Sequence, residues 1–168
     1  NAMQRTLKAL WNYGIRFYGL EKNPICFAQP YSIDIKLKRI PTDKEINDVK
    51  KKSNDKERFL IDFVDQTACR ISEALRFKAD DIEAELITLW TRKAKNSNLT
   101  PRRIPKPECL KKYKGKGKVF PWTDHPGFLE KKIKTLKQKK WNWHSLRHRR
   151  ASIWASNQMP LIEIMQRL

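Results

Sequence analysis

Hydrophobic residues recur at the spacing of one helix face through most of this chain. An amphipathic helix repeats its apolar positions every three or four residues, so these stretches predict helices. The predicted helices cover, in chain order, residues 4–20, about 43–52, 55–70, 128–136, 144–157 and 160–168. A second pattern, rich in β-branched and aromatic residues, predicts a strand at Leu86–Thr91 with Arg102–Pro105 as its hairpin partner. The expected fold class is therefore α+β, mostly helical, with a small antiparallel hairpin.

Polar residues at the starts of these stretches predict how the helices begin. Thr42 and Glu45 stand three residues apart, which is the spacing of a capping box. Ser53-Asn54-Asp55 offers a second N-cap, since a side-chain oxygen of such residues can accept an N–H of the first turn. By the same rule, Ser72 is expected to cap a short helix over Glu73–Phe77. In the last stretch an inward face is expected, made of Leu161, Ile164, Met165 and Leu168.

The chain is predicted to contain two folded parts joined by a linker. Gly19 and Asn23-Pro24 end the first helix, and Pro24–Pro41 has the composition of an extended arm. We therefore expect one helix over residues 4–22, a linker over 23–41 and a domain over 42–168. Asn1-Ala2-Met3 resembles the remnant of a cleaved expression tag and is left out of this division.

The net charge of the chain limits the kind of molecule that it is expected to bind. The 168 residues carry 37 Lys and Arg against 18 Asp and Glu, a formal net charge of +19. That balance predicts a nucleic acid as partner and leaves RNA binding open as a rival to DNA binding. No apolar run is long enough to span a bilayer, so no membrane partner is expected. Three widely spaced cysteines predict reduced thiols of a cytoplasmic protein, with neither a disulfide framework nor a metal site.

Two short segments carry candidate chemistry. His144 and Arg147 stand three residues apart in a predicted helix and share one face, which suits a phosphate. Arg70 falls at a predicted junction between helices, from which a guanidinium can point into a cleft. Taken singly, Arg70 can also be an ordinary helix-terminal arginine and His144 an ordinary packed side chain. Glu73 can orient Arg70 or simply belong to the first turn of a helix.

The predicted hairpin adds a basic loop. Lys93 or Lys95 can reach a DNA groove from its tip, and Lys93 is preferred because it follows the strand directly. His148 is expected to support the site rather than to act in it. The arginines and lysine expected to contact the DNA backbone are Arg92, Lys95, Arg102, Arg103 and Arg149.

The order of these segments resembles the tyrosine recombinases, the phage integrase family. The residues that carry the resemblance are Arg70-Ile71-Ser72-Glu73-Ala74-Leu75, the hairpin lysine and His144-Ser145-Leu146-Arg147-His148. The likeness covers nearly the whole chain. It implies that residues 4–22 are the last helix of a core-binding domain and residues 42–168 most of the catalytic domain. The implied partner is double-stranded DNA at attachment sites, bound by a tetramer of the intact protein.

The resemblance also implies a reaction without a cofactor or metal. A tyrosine attacks the scissile phosphate, forms a 3′-phosphotyrosyl link and releases a 5′-hydroxyl. By position, Arg70 and Arg147 would clamp the phosphate oxygens, Lys93 would protonate the leaving oxygen and His144 would assist proton transfer. Glu73 and His148 would support them.

The chain departs from the family pattern at the nucleophile. Its four tyrosines all precede His144, namely Tyr13, Tyr18, Tyr31 and Tyr113. We therefore expect the nucleophile to be absent from this chain, the domain to be truncated before it, and the free chain to be a monomer that does not cleave DNA. A noncatalytic DNA-binding protein on the same fold is the alternative. A type IB topoisomerase shares the chemistry, but the short core and the Asn23-Pro24 junction favour an integrase.

Overall fold

The computed structural model describes residues 2–29, 38–92 and 97–168. The chain divides into two compact units, residues 1–37 and 38–168. The described residues contain seven α-helices and two β-strands, so the expected α+β, mostly helical class is confirmed. The helices are α1 (Ala2–Tyr18), α2 (Asp43–Lys51), α3 (Asp55–Thr67), α4 (Ile71–Ala74), α5 (Phe128–Thr135), α6 (Trp143–Ser156) and α7 (Leu161–Arg167). The strands are β1 (Leu86–Thr91) and β2 (Thr100–Pro105).

The smaller unit consists of α1 and a turn that folds back along it. Gly19 ends α1 with a φ of 65°, a left-handed conformation that glycine adopts at no steric cost. The buried Asn23 then fixes the turn from both ends of its side chain. Its Nδ2 donates to the carbonyl of Lys8 at 3.2 Å and to Oδ1 of Asn12 at 2.8 Å, and its own Oδ1 accepts from the Ile25 N–H.

The larger unit begins with the caps that the sequence predicts. Thr42 and Glu45 form the expected capping box on α2, and Asn54 forms a second one on α3. The prediction for Ser72 is wrong, because α4 begins at Ile71, two residues before the predicted start at Glu73, and Ser72 lies inside the helix. The reason is a competing bond: the Glu73 carboxylate accepts the backbone N–H of Arg70 at 3.0 Å and makes Arg70 the N-cap.

The hairpin of β1 and β2 forms the sheet of the larger unit. Its register sets Leu86 opposite Pro105 and Thr91 opposite Thr100, so β2 starts two residues before its predicted position. Ile87, Leu89 and Ile104 are buried. The hairpin thus turns one face to the core and leaves the end of β1, at Thr91, beside the start of α4.

The core of the larger unit is built around α3. Phe63 lies with its ring 4.9 Å from that of Phe77 and 5.1 Å from that of Phe120. Helix α6 packs along α3, and a smaller apolar cluster at its far end seats α7 through Ile164. Of the predicted inward face of α7, Leu161 and Met165 are exposed, because this seven-residue helix contacts the cluster through one turn only.

Candidate active site

The end of α3 places Arg70. Ala68 adopts a left-handed conformation with a φ of 53°, which costs a non-glycine residue about 1 kcal/mol. The Thr67 hydroxyl supports this turn by donating to the Phe63 carbonyl at 2.6 Å and accepting the Cys69 N–H at 3.3 Å. The chain therefore leaves α3 abruptly and enters α4 with Arg70 as the N-cap of that helix. The Arg70 side chain remains half exposed, at 50%.

Glu73 is buried and binds four donors. Its Oε1 accepts Nη1 of Arg70 at 3.0 Å and the hydroxyl of Thr91. Its Oε2 accepts the Arg70 backbone N–H at 3.0 Å and Nη2 of Arg102 at 2.7 Å. Burial acts to raise the pKa of this carboxyl, but the Thr91 hydroxyl, the charge of Arg102 and the hydrogen bonds from Arg70 outweigh burial and hold the pKa below its ordinary value. Glu73 is therefore ionised at neutral pH and fixes the Arg70 guanidinium.

Arg147 is buried and is held by backbone oxygens instead. Its Nη1 donates to the Ala68 carbonyl at 2.6 Å, and its Nη2 donates to the Leu168 carbonyl. Burial, followed by the nearby charge of Arg70, lowers the pKa of Arg147 to about 10. The guanidinium therefore stays charged at neutral pH. The left-handed turn at Ala68 thus serves both arginines, because it directs the chain to Arg70 and its own carbonyl to Arg147.

His144 and His148 lie one turn apart on α6, with ring centroids 4.3 Å apart and the planes at 79°. Nε2 of His148 lies 3.1 Å from Nζ of Lys38. Burial is the first cause that lowers the pKa of both imidazoles. The charges of Lys38 and Arg147 lower both further. Both rings therefore favour the neutral form at neutral pH.

One cleft of about 220 Å³ brings three of the predicted catalytic residues together. Arg70, His144 and Arg147 all line it, although about seventy residues separate the first from the other two. Lys93, the fourth predicted catalytic residue, lies outside the described residues, as does Lys95. The cleft is also lined by residues that sequence reasoning did not single out, namely His125, Glu130, Asn142 and Trp143. No motif marks His125 or Glu130, because the chain brings them to the cleft only by folding.

The cleft also contains a thiol group that stays protonated. Cys69 lines the cleft, and burial raises its pKa to about 12, so it is not a nucleophile at neutral pH. Within the described ranges, no three His, Cys, Asp or Glu residues cluster as a metal-binding set. The same part of the chain has no helix long and apolar enough to cross a membrane.

The arginines expected to contact DNA occupy different environments. Arg92 is exposed, and Arg103 is 65% exposed and pairs with Glu83 at 2.8 Å. Arg102 and Arg149 have side chains only 12% exposed and are bound to carboxylates. Arg102 binds Glu73, and Arg149 binds Asp65 and Asp43. For these two residues a DNA contact stays a prediction, and in the structure their guanidinium groups are paired with carboxylates.

Comparison with known proteins identifies the fold. No family model and no curated protein sequence matches the chain. Among solved structures, a lambda integrase dimer bound to a COC′ core site matches with a TM-score of 0.74 at 14% identity, covering 99% of this chain and 70% of that one. The Tn1549 transposon integrase in complex with circular intermediate DNA matches with a TM-score of 0.67 at 20% identity, covering 99% and 69%. The catalytic domain of bacteriophage HP1 integrase matches with a TM-score of 0.61 at 17% identity, covering 76% and 77%.

These proteins are tyrosine recombinases, and at such identities the likeness establishes the fold. The chain has the fold of the tyrosine recombinase catalytic domain.

Proposed function

We propose that this chain is the greater part of the catalytic domain of a tyrosine recombinase that integrates or excises mobile DNA. The observation that carries the proposal is the convergence of Arg70, His144 and Arg147 on one cleft. The net charge of +19 and the fold support it, because an anionic polymer is the expected partner. In this proposal residues 4–22 end a core-binding domain, residues 23–41 link it, and residues 42–168 belong to the catalytic domain. The protein would act on DNA in the cytoplasm of a bacterial cell.

The two arginines would hold the scissile phosphate. A guanidinium presents paired donors that match two phosphate oxygens, and its charge stabilises the pentavalent transition state. Preorganisation matters because a donor that is already in place needs no reorganisation when charge develops. Glu73 supplies that preorganisation for Arg70, and the carbonyls of Ala68 and Leu168 supply it for Arg147.

Proton transfer would complete the reaction. As the tyrosine oxygen bonds to phosphorus, the bond from phosphorus to the 5′ oxygen breaks and that oxygen needs a proton. We assign the general acid to Lys93, with Lys95 as the alternative, and an assisting role to His144. The reverse step, in which a 5′-hydroxyl attacks the phosphotyrosine, would use the same groups in the opposite sense.

In this proposal Tyr113, the tyrosine of the larger unit, is not the nucleophile. Tyr113 stacks on Phe59 with ring centroids 5.8 Å apart and belongs to the border of the core. We propose that the attacking tyrosine belongs to a part of the protein outside this chain. The intact protein would recombine DNA as a tetramer, and the free chain would be monomeric.

The first experiment separates binding from cleavage. The free chain should bind a DNA duplex, and the logarithm of its affinity should fall linearly with the logarithm of salt, with a slope of about −0.9 for each phosphate neutralised. On a nicked suicide substrate it should form no covalent adduct on a denaturing gel. A slope near zero would contradict DNA binding, and an adduct would show that a tyrosine of this chain attacks.

The second experiment tests the arginine clamp in the intact enzyme. Arg70→Ala and Arg147→Ala should each slow cleavage by about 10²–10³-fold or more. Duplex affinity should fall much less, because many other cations meet the backbone. Arg103→Ala is the matched control, since it removes an exposed arginine of the hairpin. Equal losses of binding and cleavage would make the two residues ordinary phosphate contacts.

The third experiment tests the general acid. A 5′-bridging sulfur at the scissile phosphate is a leaving group that needs no proton. Lys93→Ala should therefore recover activity on the thio substrate, whereas Arg147→Ala should not. Recovery by Lys95→Ala alone would move the role by two residues, and recovery by neither would make His144 the next candidate.

A noncatalytic DNA-binding protein on this fold is the second candidate. It is favoured by one observation, the lack of any tyrosine after His144 in the chain. That candidate predicts duplex binding with no cleavage by the intact protein under any condition of the second and third experiments.

A further inference from the structure

Three basic side chains form a row at the edge of the cleft. Lys38 is exposed and precedes α2, and its Nζ lies 3.1 Å from Nε2 of His148. The His148 ring in turn meets the His144 ring edge to face, at 4.3 Å between centroids. His144 lines the cleft together with Arg70 and Arg147. The row therefore leads from the first residue of the larger unit to the candidate active site.

The contact between Lys38 and His148 determines which ring nitrogen carries the proton. A lysine ammonium has three donors and no acceptor, so Nε2 of His148 must be the acceptor. An imidazole nitrogen accepts only when it is unprotonated, which makes His148 a neutral ring with its proton on Nδ1. The contact thus selects one tautomer of His148 and excludes the imidazolium form from this geometry.

We propose that Lys38 and His148 form a positioning pair that keeps the neighbouring His144 ring neutral and oriented until a phosphate enters the cleft. The pair touches neither substrate nor reacting atoms and acts only through His144. The catalytic meaning of the pair rests on the proposed function, but its effect on His144 can be measured in the free protein.

The surroundings of His144 explain why a phosphate would reverse this state. Burial lowers the pKa of His144, and the charges of Lys38, Arg147 and Arg70 lower it further. Burial also lowers the pKa of His148, followed by His144, Lys38 and Arg147. The remaining titratable groups that line the cleft with His144 are His125, Glu130 and Cys69. A bound phosphodiester would offset the surrounding positive charge, raise the pKa of His144 and draw a proton onto it.

The test is a titration of the imidazole groups by NMR. The chain has three histidines, so long-range ¹H–¹⁵N spectra resolve each ring, its tautomer and its pKa. In the unchanged protein, His148 should show the Nδ1–H tautomer. Lys38→Met should raise the pKa of both His148 and His144 and abolish the tautomer preference. Lys38→Arg should restore both features, because the guanidinium also donates only.

The matched control is Lys44→Met, which removes one exposed positive charge from α2 of the same unit. It should leave both titrations where they are. The proposal is overturned if Lys38→Met changes neither titration, if it changes His148 but not His144, or if Lys44→Met has the same effect. In a His148→Gln background, the effect of Lys38→Met on His144 should shrink, and an undiminished effect would remove His148 from the pair.

Duplex binding measured on the same samples separates the two proposals. Proton uptake on binding, seen as a rise in the pKa of His144 when a short duplex is added, supports the pair and the site together. If His148 does not show the Nδ1–H tautomer while DNA binding is normal, only the proposal of a Lys38–His148 positioning pair is overturned. Normal tautomer results with no DNA binding overturn the proposed function and leave the pair in place.

Discussion

The two arginines of the cleft are held in opposite ways. Arg70 is half exposed and depends on a side chain, the carboxylate of Glu73. Arg147 is buried and depends on the main chain, through the carbonyls of Ala68 and Leu168. Both guanidinium groups line the same cleft, yet Arg70 is held by a side-chain carboxylate, whereas Arg147 is held in part by the uncharged peptide oxygen of Ala68.

The two arginines differ in what holds the guanidinium group in place, a charged carboxylate for Arg70 and backbone oxygens for Arg147. Glu73 neutralises part of the positive charge that Arg70 and Arg102 bring, so that side of the cleft is an ion network. Arg147 makes no direct ion pair with Glu73, whose charge acts on it only at longer range, and its direct partners are the oxygens of Ala68 and Leu168. We infer that these oxygens set the position of Arg147, whereas an ion pair sets the position of Arg70.

The largest expected effect comes from removing the carboxylate. Glu73→Gln would leave the largely covered Arg102 and part of Arg70 without a counter-charge, and breaking a pair with a buried carboxylate costs about 3–5 kcal/mol of unfolding free energy. The measurement is urea unfolding at neutral pH. Glu83→Gln breaks the exposed pair with Arg103 and is the control, with a cost under about 1 kcal/mol. Equal costs would mean that Glu73 is not a buried ion-pair centre.

The next largest effect is expected when each of the two arginines is replaced separately. Arg147→Met leaves the buried carbonyl oxygen of Ala68 and the partly buried oxygen of Leu168 without their charged donor and should lower the unfolding free energy by about 2 kcal/mol. Arg70→Met acts on a half-exposed side chain and should cost under about 1 kcal/mol. Thermal or urea unfolding of both variants decides the order. The comparison fails if Arg70→Met is the more destabilising of the two.

The hydroxyl of Thr91 gives a smaller effect. Thr91→Val keeps the shape of the side chain but removes the hydroxyl that donates to Glu73, at a cost of about 1 kcal/mol. Thr88→Val on the same strand is the control, because the Thr88 hydroxyl makes no hydrogen bond with Glu73. Chemical unfolding of the Thr91→Val and Thr88→Val variants would show whether β1 helps to hold Glu73 and Arg70 in place or only packs beside them.

The smallest effect lies in the pH dependence of stability. The folded pKa of Glu73 is below its ordinary value of 4.5. Its contribution is therefore present above about pH 4.5 and is lost as the pH falls through the folded pKa. Glu73→Gln should flatten the decline of urea midpoints below that pH.

Local sequence was a good guide wherever partners are three or four residues apart. The Thr42–Glu45 capping box has that spacing and was predicted from the residue types, and the N-cap of α3 falls at Asn54, within the predicted Ser53-Asn54-Asp55 segment. Ser72 shows the limit of such reading, because two residues in the same turn could serve the helix start. The carboxylate of Glu73 prevailed, since it can bond back to Arg70 while its other oxygen meets Thr91 from the hairpin.

The sequence by itself determined the residue types of the candidate site, their order along the chain, and the helices and hairpin that bear them. Periodicity and capping depend on neighbours along the chain, and these can be read from residue identities. Only the tertiary structure decided that Arg102 and Arg149 face carboxylates and that Arg147 meets Ala68 from 79 residues away. It also brought Lys38 to His148 across 110 residues. Such contacts depend on how α3, α6 and the hairpin pack together, and one residue's neighbours in sequence do not encode which charge it will meet in space.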